Sequence, residues 1–172
     1  MNGEHPAAEL ERVFAHIAAT RMAGLPILNP ALRVEAVGFR AWEGRWIGVL
    51  VTPWTISLVL LPGTGAPLEP LLLDQKRVWN FPSGAYQFMG LNEDELGACH
   101  ICSLISPVAE FPVHEDAVAV AREAIAALFR ETRAGHGEDL AGMMEDARLR
   151  GESLARKNLS RRDFLRVSFL RN

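Results

Sequence analysis

Two cysteines in Cys99-His100-Ile101-Cys102 form the first cluster whose types and spacing suit chemistry, as a dithiol redox pair or one half of a zinc site. A complete structural zinc site needs a second pair of ligands. No other cysteine exists here, and the histidines at 5, 16, 114 and 136 are scattered. The pair also falls on an expected strand, away from the helix start that lowers a thiol pKa. Two incidental cysteines are therefore the competing reading, and Cys99 and Cys102 stand as metal or redox candidates only. No serine sits in a Gly-x-Ser-x-Gly elbow, and no phosphate loop or dinucleotide fingerprint occurs. Nothing anchors an enzyme, and no cofactor is expected.

The sharpest local pattern is Ser160-Arg161-Arg162-Asp163-Phe164-Leu165-Arg166. It resembles the twin-arginine export motif, Ser/Thr-Arg-Arg-x-Phe-Leu followed by a basic residue. An export signal is amino-terminal and precedes an apolar region, whereas six residues follow Arg166 here, so an ordinary export role is not expected. A short terminal helix capped by Ser160, with Phe164, Leu165 and Phe169 along one side, fits the same residues. Mimicry of an export signal is the other reading.

Charge is distributed in a way that favours an interaction segment. Residues 150–172 hold seven basic and two acidic side chains (+5), and residues 1–149 hold eleven basic and nineteen acidic ones (−8). An acidic body thus carries a basic tail. The amino terminus has no basic stretch followed by an apolar run, so no leader is expected there and residence in the cytoplasm follows. The longest apolar stretch, residues 46–61, falls short of the roughly 20 residues of a spanning helix and is broken by Pro53. Two cysteines agree with a reducing compartment.

Leu10, Val13, Phe14, Ile17 and Met22 recur at helical spacing between Pro6 and Gly24, which predicts a first amphipathic helix. Residues 33–40 alternate, Glu43-Gly44 supplies a turn and residues 46–51 follow, which predicts a β-hairpin. Residues 54–61 are almost wholly apolar, as in a strand covered on both faces. Further strands are expected at 76–81, 85–89 and 100–105. Val118, Ala121, Ile125, Leu128 and Phe129 then mark a second amphipathic helix. The fold class is α+β: a mostly antiparallel sheet covered by an N-terminal and a C-terminal-side amphipathic helix, both expected on one face. Residues 1–134 are read as one domain and residues 135–172 as a flexible or helical basic tail.

The runs Asn29-Pro30-Ala31-Leu32-Arg33-Val34-Glu35-Ala36-Val37-Gly38-Phe39-Arg40, then 42–54 and 58–63, resemble the HybE/HupJ family of nickel-iron hydrogenase assembly chaperones. The likeness continues through Phe81-Pro82-Ser83-Gly84-Ala85-Tyr86-Gln87-Phe88 and Cys102-Ser103-Leu104-Ile105-Ser106-Pro107. Ala98 and Ile105 stand where family members often carry aromatic residues, and Cys99 is additional, whereas Cys102 matches a family position. The resemblance implies a maturation protein, not an enzyme, whose partners are the hydrogenase small subunit, through its twin-arginine signal, and other maturation factors. No nucleic-acid partner is expected, and membrane contact is at most peripheral.

A receptor for two guanidinium groups and an adjacent Phe-Leu pair needs carboxylates beside an apolar groove. Glu35, Glu43, Glu93, Asp94 and Glu95 are the candidates for the first. Trp42, Trp46, Trp54, Phe81, Tyr86 and Phe88 are candidates for the second, with Arg40 placed in the same surface. The motif at 160–166 would occupy that groove in the same chain or in a neighbouring copy, or would touch a membrane. Protection or assembly of a metal centre through Cys99 and Cys102, and scaffolding among maturation factors, are the alternatives.

Overall fold

The computed structural model describes residues 5–131. The motif at 160–166 and the expected domain boundary at 134 lie outside those residues. In chain order the elements are α1 (Ala7–Ala19), β1 (Glu35–Trp42), β2 (Arg45–Val51), β3 (Ile56–Leu61), β4 (Lys76–Phe81), β5 (Gly84–Glu93), β6 (Gly97–Ile105) and α2 (His114–Leu128). The strands form one sheet in the order β1-β2-β3-β6-β5-β4, and every neighbouring pair is antiparallel. No described helix is long and apolar enough to cross a membrane.

The hairpin forms at Glu43-Gly44, where Trp42 pairs with Arg45 and both turn residues take positive φ, 47° and 74°. That is the geometry of a two-residue turn matched to strand twist. At the next turn Pro53 lacks an N–H for the ladder, and Thr55 N–H donates to Thr52 Oγ1 at 3.0 Å while Thr52 N–H donates to Thr55 O at 2.9 Å. Trp54 is therefore in a turn, and β3 begins at Ile56.

The placement of the helices departs from expectation. α1 packs Leu10, Val13, Phe14 and Ile17 on Phe39, Leu50, Val59, Leu61 and Cys99, whereas α2 packs Ala117, Val118, Ala121, Ile125 and Leu128 among Val37, Ile47, Val49, Ile56 and Leu58. Alternate residues of β2 and β3 divide between these two cores, so the helices cover opposite faces. The reason lies in the interior strands β2 and β3, which place apolar residues on both sides, each of which must be kept from water.

A bulge in β1 completes the division. Val37 and Phe39 would share a face in a regular strand, yet Val37 joins the α2 core and Phe39 the α1 core. The register shifts between Val37 and Arg40, and Gly38 takes φ 64°. Glycine adopts this conformation at low cost, and the extra residue reverses the alternation.

The sheet also curls around the C-terminal end of α2. Trp42 of edge strand β1 stacks on Phe81 of the opposite edge β4 at 4.3 Å between ring centres, and Ser83 N–H donates to Leu128 O at 3.2 Å. On the other side, α1 covers β1, β2, β3 and the near parts of β6 and β5, where Leu91 joins its core, and among the described residues no helix covers the outer face of β4 and the first half of β5.

Candidate functional site

The residues expected to form one groove are divided by the sheet. Trp42, Phe81, Tyr86 and Phe88 lie on the α2 side, and Phe88 is wholly buried. Trp46 and Trp54 lie on the α1 side, where Trp54 stacks on Phe14 and Trp46 meets His5. Period-two alternation separates Trp42 from Trp46 across the pairing of Ala41 with Trp46. The single apolar groove expected from these six aromatic residues is not formed.

The α2-side cluster is an aromatic core with basic edges. Arg40 lies over the Phe129 ring at 4.4 Å, and Arg45 and Arg77 lie over Trp79 at 5.0 and 4.8 Å. Trp79 Nε1–H donates to His100 Nδ1 at 3.1 Å, so the other ring nitrogen of His100 carries the proton and donates to Glu69 O at 2.9 Å. Burial holds His100 below its usual pKa, and Arg77 and Arg45 act in the same direction against the hydrogen bond to Glu69. Tyr86 donates or accepts with Ser83 Oγ at 2.9 Å, and burial pushes its phenol above the usual range. Three guanidinium groups on this rim make it a poor receptor for two more.

A stability prediction follows from His100. The unfolded chain protonates this histidine near pH 6.5, while the folded chain resists protonation to lower pH. Its contribution is therefore complete above about pH 6.5 and is lost as the pH falls through the folded value. Urea unfolding at pH 7.5 and 5.0 should show a smaller loss on acidification for His100→Gln than for the natural chain. Equal losses in the two proteins would remove His100 from the account.

Glu35 serves the fold: His114 Nε2–H donates to its Oε2 at 2.9 Å, Arg33 N–H donates to His114 Nδ1 at 3.3 Å, and Arg33 stands 3.4 Å from the same carboxylate oxygen. Glu43 is exposed at the hairpin tip, far in the sequence and in the sheet order from the remaining acids.

Glu93, Asp94 and Glu95 form the β5–β6 turn on the α1 side. One terminal nitrogen of Arg21 donates to both Glu93 carboxylate oxygens at 2.8 Å, and Arg12 pairs with Glu95. Two guanidinium groups thus already sit on this turn. Both pairs involve exposed arginines, and such surface pairs contribute about 0–1 kcal/mol each. The turn holds arginine without committing much stability to it.

From this turn β5 and β6 lead to the outer face that neither described helix covers. Val78 is 51% exposed, Gln87 opposite it is exposed, and Met89 and Ile101, a cross-strand pair, are half-buried. Ala85 and Ser103 extend the same surface. The alternation of Lys76, Val78 and Asn80 against Arg77, Trp79 and Phe81 carried the signal for this face, but sequence alone did not show that neither described helix covers it.

Cys99 and Cys102 fall on opposite faces of β6, Cys99 in the α1 core and Cys102 beside the α2 core. Three strand residues span about 10 Å, beyond the roughly 7 Å limit between Cα atoms for a disulfide. Burial pushes the Cys99 thiol up to about 12, with the Glu93 charge adding to it, and its Sγ–H donates to Leu91 O at 3.0 Å. The two thiols do not form a pair. Among the described residues, no three His, Cys, Asp or Glu side chains are grouped to hold a metal ion.

A family model described as "[NiFe]-hydrogenase assembly, chaperone, HybE" matches residues 5–167. The chain belongs to this family of hydrogenase assembly chaperones. It is 40% identical over 138 residues to the hydrogenase expression/formation protein HoxT of Azotobacter vinelandii, covering 78% of this chain and 88% of that one. It is 39% identical over 122 residues to the probable rubredoxin HupJ of Rhodobacter capsulatus, covering 70% of this chain but only 44% of the length of that relative. The solution structure of HybE from Escherichia coli superposes with a TM-score of 0.60 at 26% identity, covering 78% of this chain and 88% of that chain. The α+β fold of the HybE relative is therefore the fold described above. The two cysteines of this chain are half the number in a four-thiolate metal site.

Proposed function

We propose that this hydrogenase assembly chaperone binds the twin-arginine signal region of the hydrogenase small subunit in the cytoplasm, before export, and does so without catalysis. The observation that carries the reading is the Glu93-Asp94-Glu95 turn, which holds two guanidinium groups and adjoins a partly apolar sheet face that neither described helix covers. Arg12 and Arg21 occupy the turn in the free protein. The client's arginine pair exchanges with them, and its Phe-Leu pair covers Val78, Met89 and Ile101. Exchange of one exposed ion pair for another costs little, so the apolar contact and the correct spacing of the two arginines supply selectivity.

The chemistry needed is binding alone: a chaperone that prefers the unassembled client shifts the population toward it by its difference in affinity. The rival thiol mechanism loses support because Cys99 and Cys102 point to opposite faces. Titration calorimetry of the cognate small-subunit signal peptide tests the proposal. A variant peptide with Lys-Lys for Arg-Arg keeps the charge but loses the planar fork, and its affinity should fall by about tenfold, on the order of 1.4 kcal/mol. Absence of binding, or equal binding of the two peptides, rejects signal recognition.

A further inference from the structure

We infer that the segment Ser160–Arg166 of this same chain docks on the outer face of β4, β5 and β6, with Arg161 and Arg162 at the Glu93-Asp94-Glu95 turn. This rests on the reading that the face receives a twin-arginine peptide, and it adds a regulator of that site. Three independent features meet there. Among the described residues no helix covers the face, and it exposes Val78. The turn at its end already binds guanidinium, as Arg21 and Arg12 show. The segment offers two adjacent arginines followed two residues later by Phe164-Leu165, in a region of +5 attached to a body of −8.

Reach is not limiting. Twenty-eight residues separate Glu131, the last described residue, from Ser160. At a maximum of about 3.4 Å per residue they span roughly 95 Å, against a radius of gyration of about 14 Å for a domain of this size. The basic, arginine-decorated α2-side rim is the less favourable destination, because Arg40, Arg45 and Arg77 repel the pair. Docked on the outer face, the segment competes with the client signal. A tethered ligand has an effective concentration on the order of 1 mM, so a segment of about 0.1 mM intrinsic affinity raises the apparent dissociation constant of a competitor about tenfold.

The test uses the full chain and its Arg161→Gln/Arg162→Gln/Phe164→Ser variant. Methyl resonances of Val78, Met89 and Ile101 should move between the two proteins, while that of Val118 in the α2 core stays in place. A capped synthetic peptide with the sequence of residues 160–166 should bind the variant about tenfold more tightly than the natural chain. Unmoved outer-face resonances together with equal peptide affinity overturn the inference. Resonance differences that vanish on dilution also overturn it, by placing the segment on a neighbouring copy. Success here with no binding of the hydrogenase signal peptide would sink the client reading and leave the intramolecular contact standing. Signal-peptide binding with unmoved resonances would do the reverse.

Discussion

Gly48→Ala is expected to lower the unfolding free energy by about 3 kcal/mol, the upper end of the cost of overpacking a formed core. Gly48 lies in β2, and a Cβ placed there would stand 2.2 Å from the Phe39 ring. That ring has little room to retreat, because Phe39 is a buried member of the α1 core, placed there by the bulge at Gly38. Calorimetric unfolding should show a midpoint lower by roughly 10 °C, at about 3–4 °C per kcal/mol for a domain of this size. Gly65→Ala, where an added Cβ meets nothing within 4 Å, should change stability by less than about 0.5 kcal/mol. Shrinking the ring tests the mechanism: Phe39→Leu should relieve part of the Gly48→Ala penalty in a double-mutant cycle. A Gly48→Ala protein as stable as the natural one would show that the ring over Gly48 moves freely.

Replacing Glu93, Asp94 and Glu95 by Gln, Asn and Gln should weaken binding of the small-subunit signal peptide by about 100-fold. Two charge-assisted contacts at about 1.5 kcal/mol each give that factor. Stability should change little, because the ion pairs of Arg12 and Arg21 are exposed. The salt response separates this account from a general loss of fold: affinity of the natural chain should fall between 50 and about 300 mM salt, and that of the variant should be nearly flat. Glu35→Gln serves as the control, since that carboxylate partners His114 at another part of the molecule. If Glu35→Gln weakens binding as much as the turn substitution does, the outer face is not the receptor.

The pairing of local patterns with elements was readable from residue order. Leu10, Val13, Phe14 and Ile17 repeat at helical spacing and form the buried stripe of α1. Ile56–Leu61, apolar except for Ser57, is a central strand buried at every position. Glu43-Gly44 made the hairpin turn that its composition predicted. Each of these depends on interactions within a few residues, or on burial of both faces, and both leave marks in local composition. The Cys99–Cys102 spacing likewise became decisive once residues 97–105 were a strand, because an odd step of three reverses the face.

Tertiary structure alone decided which residues share a surface. Helical stripes on α1 and α2 state that each needs a partner, without stating which face of the sheet supplies it. The two helices divided the faces because β2 and β3 are apolar on both sides. That division separated Trp42 from Trp46, assigned Glu35 to His114, and brought Arg12 of α1 and Arg21, just beyond its end, to an acidic turn more than seventy residues away. The same packing left Val78 and Met89 outside the core under either described helix, with Ile101 at the margin of the α1 core. Period and composition thus determined the elements, since those signals are local. The surface that receives a partner was set by which long-range contacts the helices make and which they leave unmade.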